Sequence, residues 1–381
     1  MRKNFLLSPN VTFLNHGSYG ACPRPVFEKY QYWQRELERQ PVQFMADDVY
    51  KHLETARTKL GEFMGCDGDD LFFVPNPTTG VTTIINSLEI NPGDEILSTD
   101  HEYGALIRGW GSICKKTSAR FIQREIPLPC TTHEDFTEYF WDGITEKTKV
   151  IFISHITSST AMIFPIHEIC RRAREREILT IIDGAHVPGH IPLNISEIDP
   201  DVYVGACHKW LCAPKGSSFL YVRKTFQDKM APLITSWGDE GADPSDSSFL
   251  LENQWQGTRD MSAFLAVTKA IEFQQNDAWK VQTERCRWLV RETRSRLDEY
   301  FELDHLCPNT EEWLGQMASI EIKTSDLIKL KNTLLKEFSI EVPIFEWKGK
   351  TILRYSFQVY NDLKDADLLI YALREMPILI I

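Results

Sequence analysis

The sequence has no stretch approaching the roughly 18–20 consecutive apolar residues of a membrane span. The start, MRKNFLLSPNVTF, carries two basic residues before an apolar run too short for a secretory h-region. No excess of positive charge is present: 42 Lys and Arg stand against 54 Asp and Glu, a net charge of −12, which argues against nucleic acid or an anionic membrane as the main partner. There is no internal repeat and no low-complexity tract. The nine cysteines are odd in number and include no C-x-x-C pair, so neither a disulfide framework nor a zinc site is expected. Free thiols, and the absence of membrane signals, place the chain in the cytoplasm as an expectation. Hydrophobic residues at 43% and charged residues at 25% are those of an ordinary globular protein, and 381 residues leave room for two or three domains.

What is present is an α/β pattern. Short β-branched or aromatic runs at Leu71–Val74, Glu95–Ser98, Lys149–Ser154, Ile178–Asp183, Asp201–Val204 and Ser217–Val222 alternate with helical stretches. Val150–Ile153 and Ile178–Ile182 are continuously apolar, as strands covered by helices on both faces are. His167–Arg176 has the look of a crossover helix, apolar on one side and densely charged on the other. After Gly257, Ser262–Phe273 and Trp279–Phe301 have helical spacing, and strands at Met317–Ile322 and Thr351–Phe357 around a helix near Ser325–Glu337 predict a small C-terminal α+β domain.

Chemistry concentrates at the strand ends. Asp183 closes an apolar strand in IIDGAH, where open α/β sheets place their ligands. Lys209 follows in CHKWLCAPKG, between apolar and aromatic neighbours that can desolvate its amine and turn it into a nucleophile toward carbonyls. A strand-end carboxylate followed by a sequestered lysine suits pyridoxal phosphate, whose aldehyde needs an amine and whose ring nitrogen needs an anion. Each residue alone also has a plain reading, a helix cap for Asp183 and a surface snorkel for Lys209. Strand Leu71–Val74 leads through Pro75-Asn76-Pro77-Thr78-Thr79-Gly80 into a helix start, an anion site or simple N-caps. Tyr103, in TDHEYGA, offers a plane at the same sheet edge. His101 and Glu102 lack partner ligands at metal-binding spacing, and no metal is expected.

These stretches resemble the class V aminotransferase group of fold-type I pyridoxal-phosphate enzymes, which includes cysteine desulfurases, and within it the isopenicillin N epimerase-like and cysteine desulfhydrase-like branch. The likeness runs through FLNHGSYGACPRPV (13–26), RQPVQF (39–44), VPNPTTGV (74–81), TDHEYGA (99–105), DGAHVPG (183–189), CHKWLCAPKG (207–216), WQGTRD (255–260) and RYSFQVYND (354–362). It implies a large domain with a mainly parallel seven-stranded sheet at 26–262, preceded by an arm at 1–25 and followed by a connector helix and small domain at 263–381. It implies that Lys209 forms the internal aldimine and then moves protons at Cα. Asp183 would face the ring nitrogen, His186 the phenolic oxygen and Tyr103 the ring. Thr78, Thr79 and His208 would hold the phosphate, with His208 taking up work that a serine at position 206 does in related enzymes; here that residue is Ala206. Thr258 would reach the phosphate of a second subunit, making a homodimer with shared sites. Arg354 would hold the substrate carboxylate, and Asn15, His16 and Ser18 would contact substrate from the arm, the alternatives being a structural ion pair for Arg354 and turn chemistry for the arm residues.

The resemblance leaves the reaction open. Cysteine desulfurases carry a mobile cysteine in a loop before the carboxylate-binding arginine, whereas Ile340–Trp347 here contains none. A C–S β-lyase acting on a small-molecule amino acid, a cysteine desulfhydrase or an S-substituted cysteine/sulfoxide lyase, is therefore the leading expectation, an amino-acid epimerase the alternative and an aminotransferase a third. A cofactor-bound transcription regulator is disfavoured by the charge and by the lack of a helix-turn-helix before residue 70. Residues reading the substrate side chain are expected on loops such as Ser236–Ser248.

Overall fold

A computed structural model describes residues 1–240, 247–301 and 303–376. Of the loop Ser236–Ser248, residues 241–246 therefore lie outside the described residues.

The apolar runs form a seven-stranded sheet. Its strands are β2 (Leu71–Val74), β3 (Glu95–Thr99), β4 (Arg120–Arg124), β5 (Thr148–Ser154), β6 (Leu179–Gly184), β7 (Val202–Ala206) and β8 (Ser218–Val222), after a two-residue β1 (Thr12–Phe13) in the arm. The order across the sheet is β2-β8-β7-β6-β5-β3-β4, all parallel except for β8, which runs against both neighbours. Side chains alternate between two cores: Val150, Phe152 and Ile181 enter one, and Ile151, Ile153 and Ile182 the other. Both faces are thus buried, which is why these strands read as unbroken apolar runs rather than alternating ones. The expected strands all form, with ends shifted by at most two residues. The edge strand β4 was not expected from RFIQR, because a charged, partly exposed edge lacks the apolar density that marks its neighbours.

The crossover helix appears at Ile166–Glu175 and the long connector at Asp277–Asp298, while the expected helix over Ser262–Phe273 is broken into Ser262–Leu265 and Val267–Gln274. The C-terminal part carries β9 (Met317–Ile322), β10 (Ile340–Glu341), β11 (Ile344–Trp347) and β12 (Lys350–Ser356) with helix Leu327–Lys336. Strands β11, β12 and β9 make a second, antiparallel sheet, and β10 pairs with β1. The arm is thereby tied to the C-terminal part rather than to the large sheet it precedes. Among the described residues, no helix is long and apolar enough to cross a membrane, and no cluster of His, Cys, Asp and Glu could hold a metal ion.

Because β2 and β7 both oppose β8, the C-terminal ends of β2, β5, β6 and β7 lie along one edge of the sheet: Val74 and Ala206 both face Ser218, and Ser154 faces Asp183. That edge is where the chemistry-bearing residues come out.

Candidate active site

At this edge lies a cavity of about 560 Å3, within the ordinary size of small-molecule sites. Thr78, Thr79, Tyr103, Asp183, His186, His208, Lys209, Arg354 and Ser18 all line it. Residues from six separate segments of the sequence are therefore brought to one place.

Lys209 stands in the tight turn after β7, closed by bonds from the Cys207 and His208 amides to the Ser217 carbonyl and from Ala213 N–H to the Cys207 carbonyl. Gly20 of the arm packs on this turn with φ +68°, and a Cβ there would stand 2.1 Å from the His208 carbonyl oxygen. Only glycine tolerates both the backbone conformation and the approach. Burial lowers the Lys209 amine to about 8; the Asp183 charge opposes this and Arg354 adds to it. Its Nζ lies 3.1 Å from His186 Nε2.

Asp183, the penultimate residue of β6, is the only carboxylate lining the cavity among the described residues. Burial raises its pKa, opposed by the Ala185 N–H that donates to Oδ1 at 2.9 Å and by the Lys209 charge. His186 is held far below the usual imidazole range by burial and then by Lys209, so it is neutral. Its Nδ1 accepts from the Trp210 indole N–H at 3.3 Å.

At the other end of the cavity, Asn76 caps helix Pro77–Ser87: its Oδ1 accepts from the Thr79 amide at 2.9 Å and from the Thr79 hydroxyl at 3.1 Å. Thr79 is thus the cap partner in this arrangement, and Thr78 is the first-turn donor not committed to the cap. His208 donates from Nδ1 to the Ser217 carbonyl at 3.0 Å, and burial depresses its pKa to about 4. Tyr103, half exposed at the start of helix Gly104–Thr117, presents its ring at the cavity wall.

Arg354 on β12 is buried, and burial lowers its pKa to about 10. Its guanidinium donates to the Ser158 carbonyl and hydroxyl and, at 3.0 Å, to the Ser18 hydroxyl. All these partners are neutral. Among the described residues no carboxylate lies within ion-pair distance of it, so the alternative of a structural salt bridge is not realised.

The arm residues separate. Ser18 bonds to Arg354 and donates to Asn15 Oδ1, and Ser18 but not Asn15 lines the cavity. His16 is fully buried behind the wall, 3.0 Å from the Lys209 carbonyl through Nε2 and 2.9 Å from the Tyr360 hydroxyl through Nδ1. Burial takes it to about 3. Thr258 is exposed and does not line its own chain's cavity. Sequence reasoning gave no role to Ser158, which caps Arg354, to Trp210, or to Glu102, a buried carboxyl accepting from the Thr99 and Ser154 hydroxyls. Ser158 follows the end of β5, so the strand-end rule could have found it; Trp210 reaches the site through His186, 24 residues earlier, and Glu102 through Ser154, 52 residues later, pairings no local pattern shows.

Comparisons with known proteins converge. The chain matches the family Aminotransferase class-V over residues 21–369. It is 32% identical to isopenicillin N epimerase of Amycolatopsis lactamdurans, with 98% of this chain and 97% of that protein covered. It is 24% identical to the L-cysteine desulfhydrase of Arabidopsis thaliana, over 96% and 88% of the two chains. Among solved structures, the cystine C–S lyase C-DES, in a mutant with glycine covalently linked to its PLP cofactor, superposes with a TM-score of 0.84 at 20% identity, covering 99% of each chain. That likeness shows the fold-type I architecture.

Proposed function

The chain belongs to the aminotransferase class-V family, and on that premise we propose that it is a pyridoxal 5'-phosphate-dependent C–S β-lyase acting on cysteine or an S-substituted cysteine. One observation carries the reading: a partly buried amine, Lys209, and a buried guanidinium, Arg354, with no carboxylate partner among the described residues, face one cavity from which all nine cysteines are absent.

The donor set fits the cofactor. Thr78 at a helix N-terminus and His208 in the turn after β7 would hold its phosphate, Asp183 its ring nitrogen, His186 its phenolic oxygen, Tyr103 its ring face, and Lys209 is the amine for its aldehyde. When bound, the cofactor supplies that aldehyde for amine exchange and a cationic ring that stabilises negative charge at Cα. Burial raises the Asp183 pKa against the Ala185 N–H and Lys209, and the cationic ring nitrogen it would face favours its anionic form. Arg354 supplies the counter-charge for an α-carboxylate; a buried cation held only by neutral hydroxyls and a carbonyl calls for an anion, and a planar guanidinium meets a carboxylate through paired N–H donors. Lys209, with an amine near neutrality, takes the Cα proton as base and returns it as acid.

The net reaction adds water to the S-substituted cysteine and releases a thiol, pyruvate and ammonium: the Cβ–S bond breaks with its electron pair leaving on sulfur, and carbon undergoes no net redox change. Persulfide transfer is disfavoured because Ile340–Trp347, where desulfurases carry their cysteine, is built into strands β10 and β11 without a thiol. Epimerisation is the second reading, favoured by the 32% identity to the Amycolatopsis enzyme. Incubation with cysteine, S-alkylcysteines and their sulfoxides decides between them. Pyruvate and thiol (or, from a sulfoxide, sulfenic acid) in equal amounts are expected. Inversion at Cα without pyruvate would replace the lyase with the epimerase. We further propose a cytoplasmic homodimer in which Thr258 completes the phosphate site of the partner, consistent with its exposure and its absence from its own chain's cavity.

A further inference from the structure

We propose that Trp210 is a positioning residue whose indole N–H fixes the proton of His186 on Nε2, the nitrogen facing Lys209, and so keeps the Lys209 amine an acceptor.

An indole N–H only donates. Pointing at His186 Nδ1 from 3.3 Å, it requires that nitrogen to be bare. His186 is buried, and burial keeps it neutral with a single proton, which then sits on Nε2. That nitrogen is 3.1 Å from Lys209 Nζ. An ammonium has no lone pair, so an Nε2–H facing it would set donor against donor, and the contact is a hydrogen bond only when Lys209 is the free amine. The opposite tautomer would let an ammonium donate to Nε2, but it would place Nδ1–H against the indole N–H. Trp210 thus couples the tautomer of His186 to the protonation of Lys209.

Trp210 has little room to move. It is fully buried, its ring stacks on His190 with centroids 3.8 Å apart, and its carbonyl accepts from Gln274 at 2.7 Å. His190 is itself pinned at both nitrogens, with Nδ1–H donating to the His186 carbonyl at 2.8 Å and Nε2 accepting the Gln316 N–H at 2.6 Å. A Cβ at Gly315 would stand 2.4 Å from His190 Nε2, so the residue before Gln316 must be glycine for this approach. The C-terminal part therefore holds the lock from behind.

The catalytic consequence rests on Lys209 being the cofactor-bearing residue: His186 would offer Nε2–H as a donor to the cofactor oxygen beside that lysine. The lock itself does not depend on that reading and is tested on the protein without cofactor. Nitrogen-15 NMR of histidine-labelled protein, with His186 assigned by difference against His186→Gln, is expected to show a bare Nδ1 and a protonated Nε2. Replacing Trp210 alone by its benzothienyl analogue, which has sulfur in place of N–H and nearly the same shape, is expected to give mixed tautomers. The same replacement should slow acylation of Lys209 at pH 7 by on the order of threefold, about half a pKa unit. Trp210→Phe should move both readouts in the same direction. A wild-type His186 protonated on Nδ1, or an analogue with unchanged tautomer and unchanged lysine reactivity, overturns the proposal. Borohydride trapping of pyridoxal phosphate at a residue other than 209 would sink the function proposed above and leave the NMR result standing.

Discussion

The cavity has two walls built in different ways. One is made of strand ends: Asp183 closes β6 and Lys209 stands in the turn just past β7, its parallel neighbour, in a sheet buried on both faces. The other joins the arm to β12, where Ser18 and Arg354 meet across 336 residues of sequence. The first wall is rigid because its residues are carried by the core. The second exists only once the chain has closed on itself, at the entropic cost of ordering both of its ends. Under the function proposed above, the first wall holds the groups whose placement governs bond breaking, and the second those that select and hold a ligand.

Substitution at Lys209 should break the first wall outright. Lys209→Ala is expected to reduce turnover by about a thousandfold or more and to abolish reductive trapping of the cofactor at that position, as read by mass spectrometry. Activity within tenfold of wild type would remove the strand-end wall from the chemistry. Arg354→Ala should instead raise KM about 10–150-fold, the equivalent of about 1.5–3 kcal/mol for a hydrogen bond to a charged group, while the visible absorbance of the bound cofactor stays. An unchanged KM would mean that the second wall does not hold the substrate.

His16 sharpens the contrast. Buried between the Lys209 carbonyl and Tyr360, it acts as a tie between the arm, the lysine turn and the C-terminal part. His16→Ala should lower the unfolding free energy by about 1–3 kcal/mol with KM changed less than about twofold. A large KM effect at full stability would return His16 to the substrate. The smallest effect is expected at Glu102, beneath the strand-end wall. Burial raises its carboxyl from 4.5 to about 7, against the Ser154 and Thr99 hydroxyls. The folded state thus binds more protons than the unfolded one between those values, and stability falls as pH rises through that window. Glu102→Gln should remove this slope, on the order of 1 kcal/mol per pH unit, in urea titrations at pH 5 and 6.5. An unaltered slope would show that Glu102 does not titrate there.

Much of the first wall was legible beforehand. Asp183 ends an apolar run and Lys209 sits among apolar neighbours, so local residue types told both the strand and the burial. Thr78 and Thr79 were legible as a helix start, yet their unequal use follows from Asn76, whose carbonyl oxygen takes both Thr79 donors. The edge strand β4 escaped notice because partial exposure lets it carry charge. Arg354 was visible within RYSFQVYND, but whether it had a carboxylate partner was not, since Ser158 and Ser18 reach it from 196 and 336 residues away.

By itself the sequence determined the alternation of strands and helices, the strand-end position of the reactive groups and the absence of a sulfur-accepting cysteine before Arg354, because each depends on residue type and short-range periodicity. Tertiary structure alone decided that His16 lies behind the wall while Ser18 lines it, that Arg354 has no counter-ion among the described residues, and that Trp210 reaches His186. These are contacts between segments far apart in the chain. No local pattern encodes them, because a hydrogen bond depends on where two groups meet in space and on which of them is shut away from water.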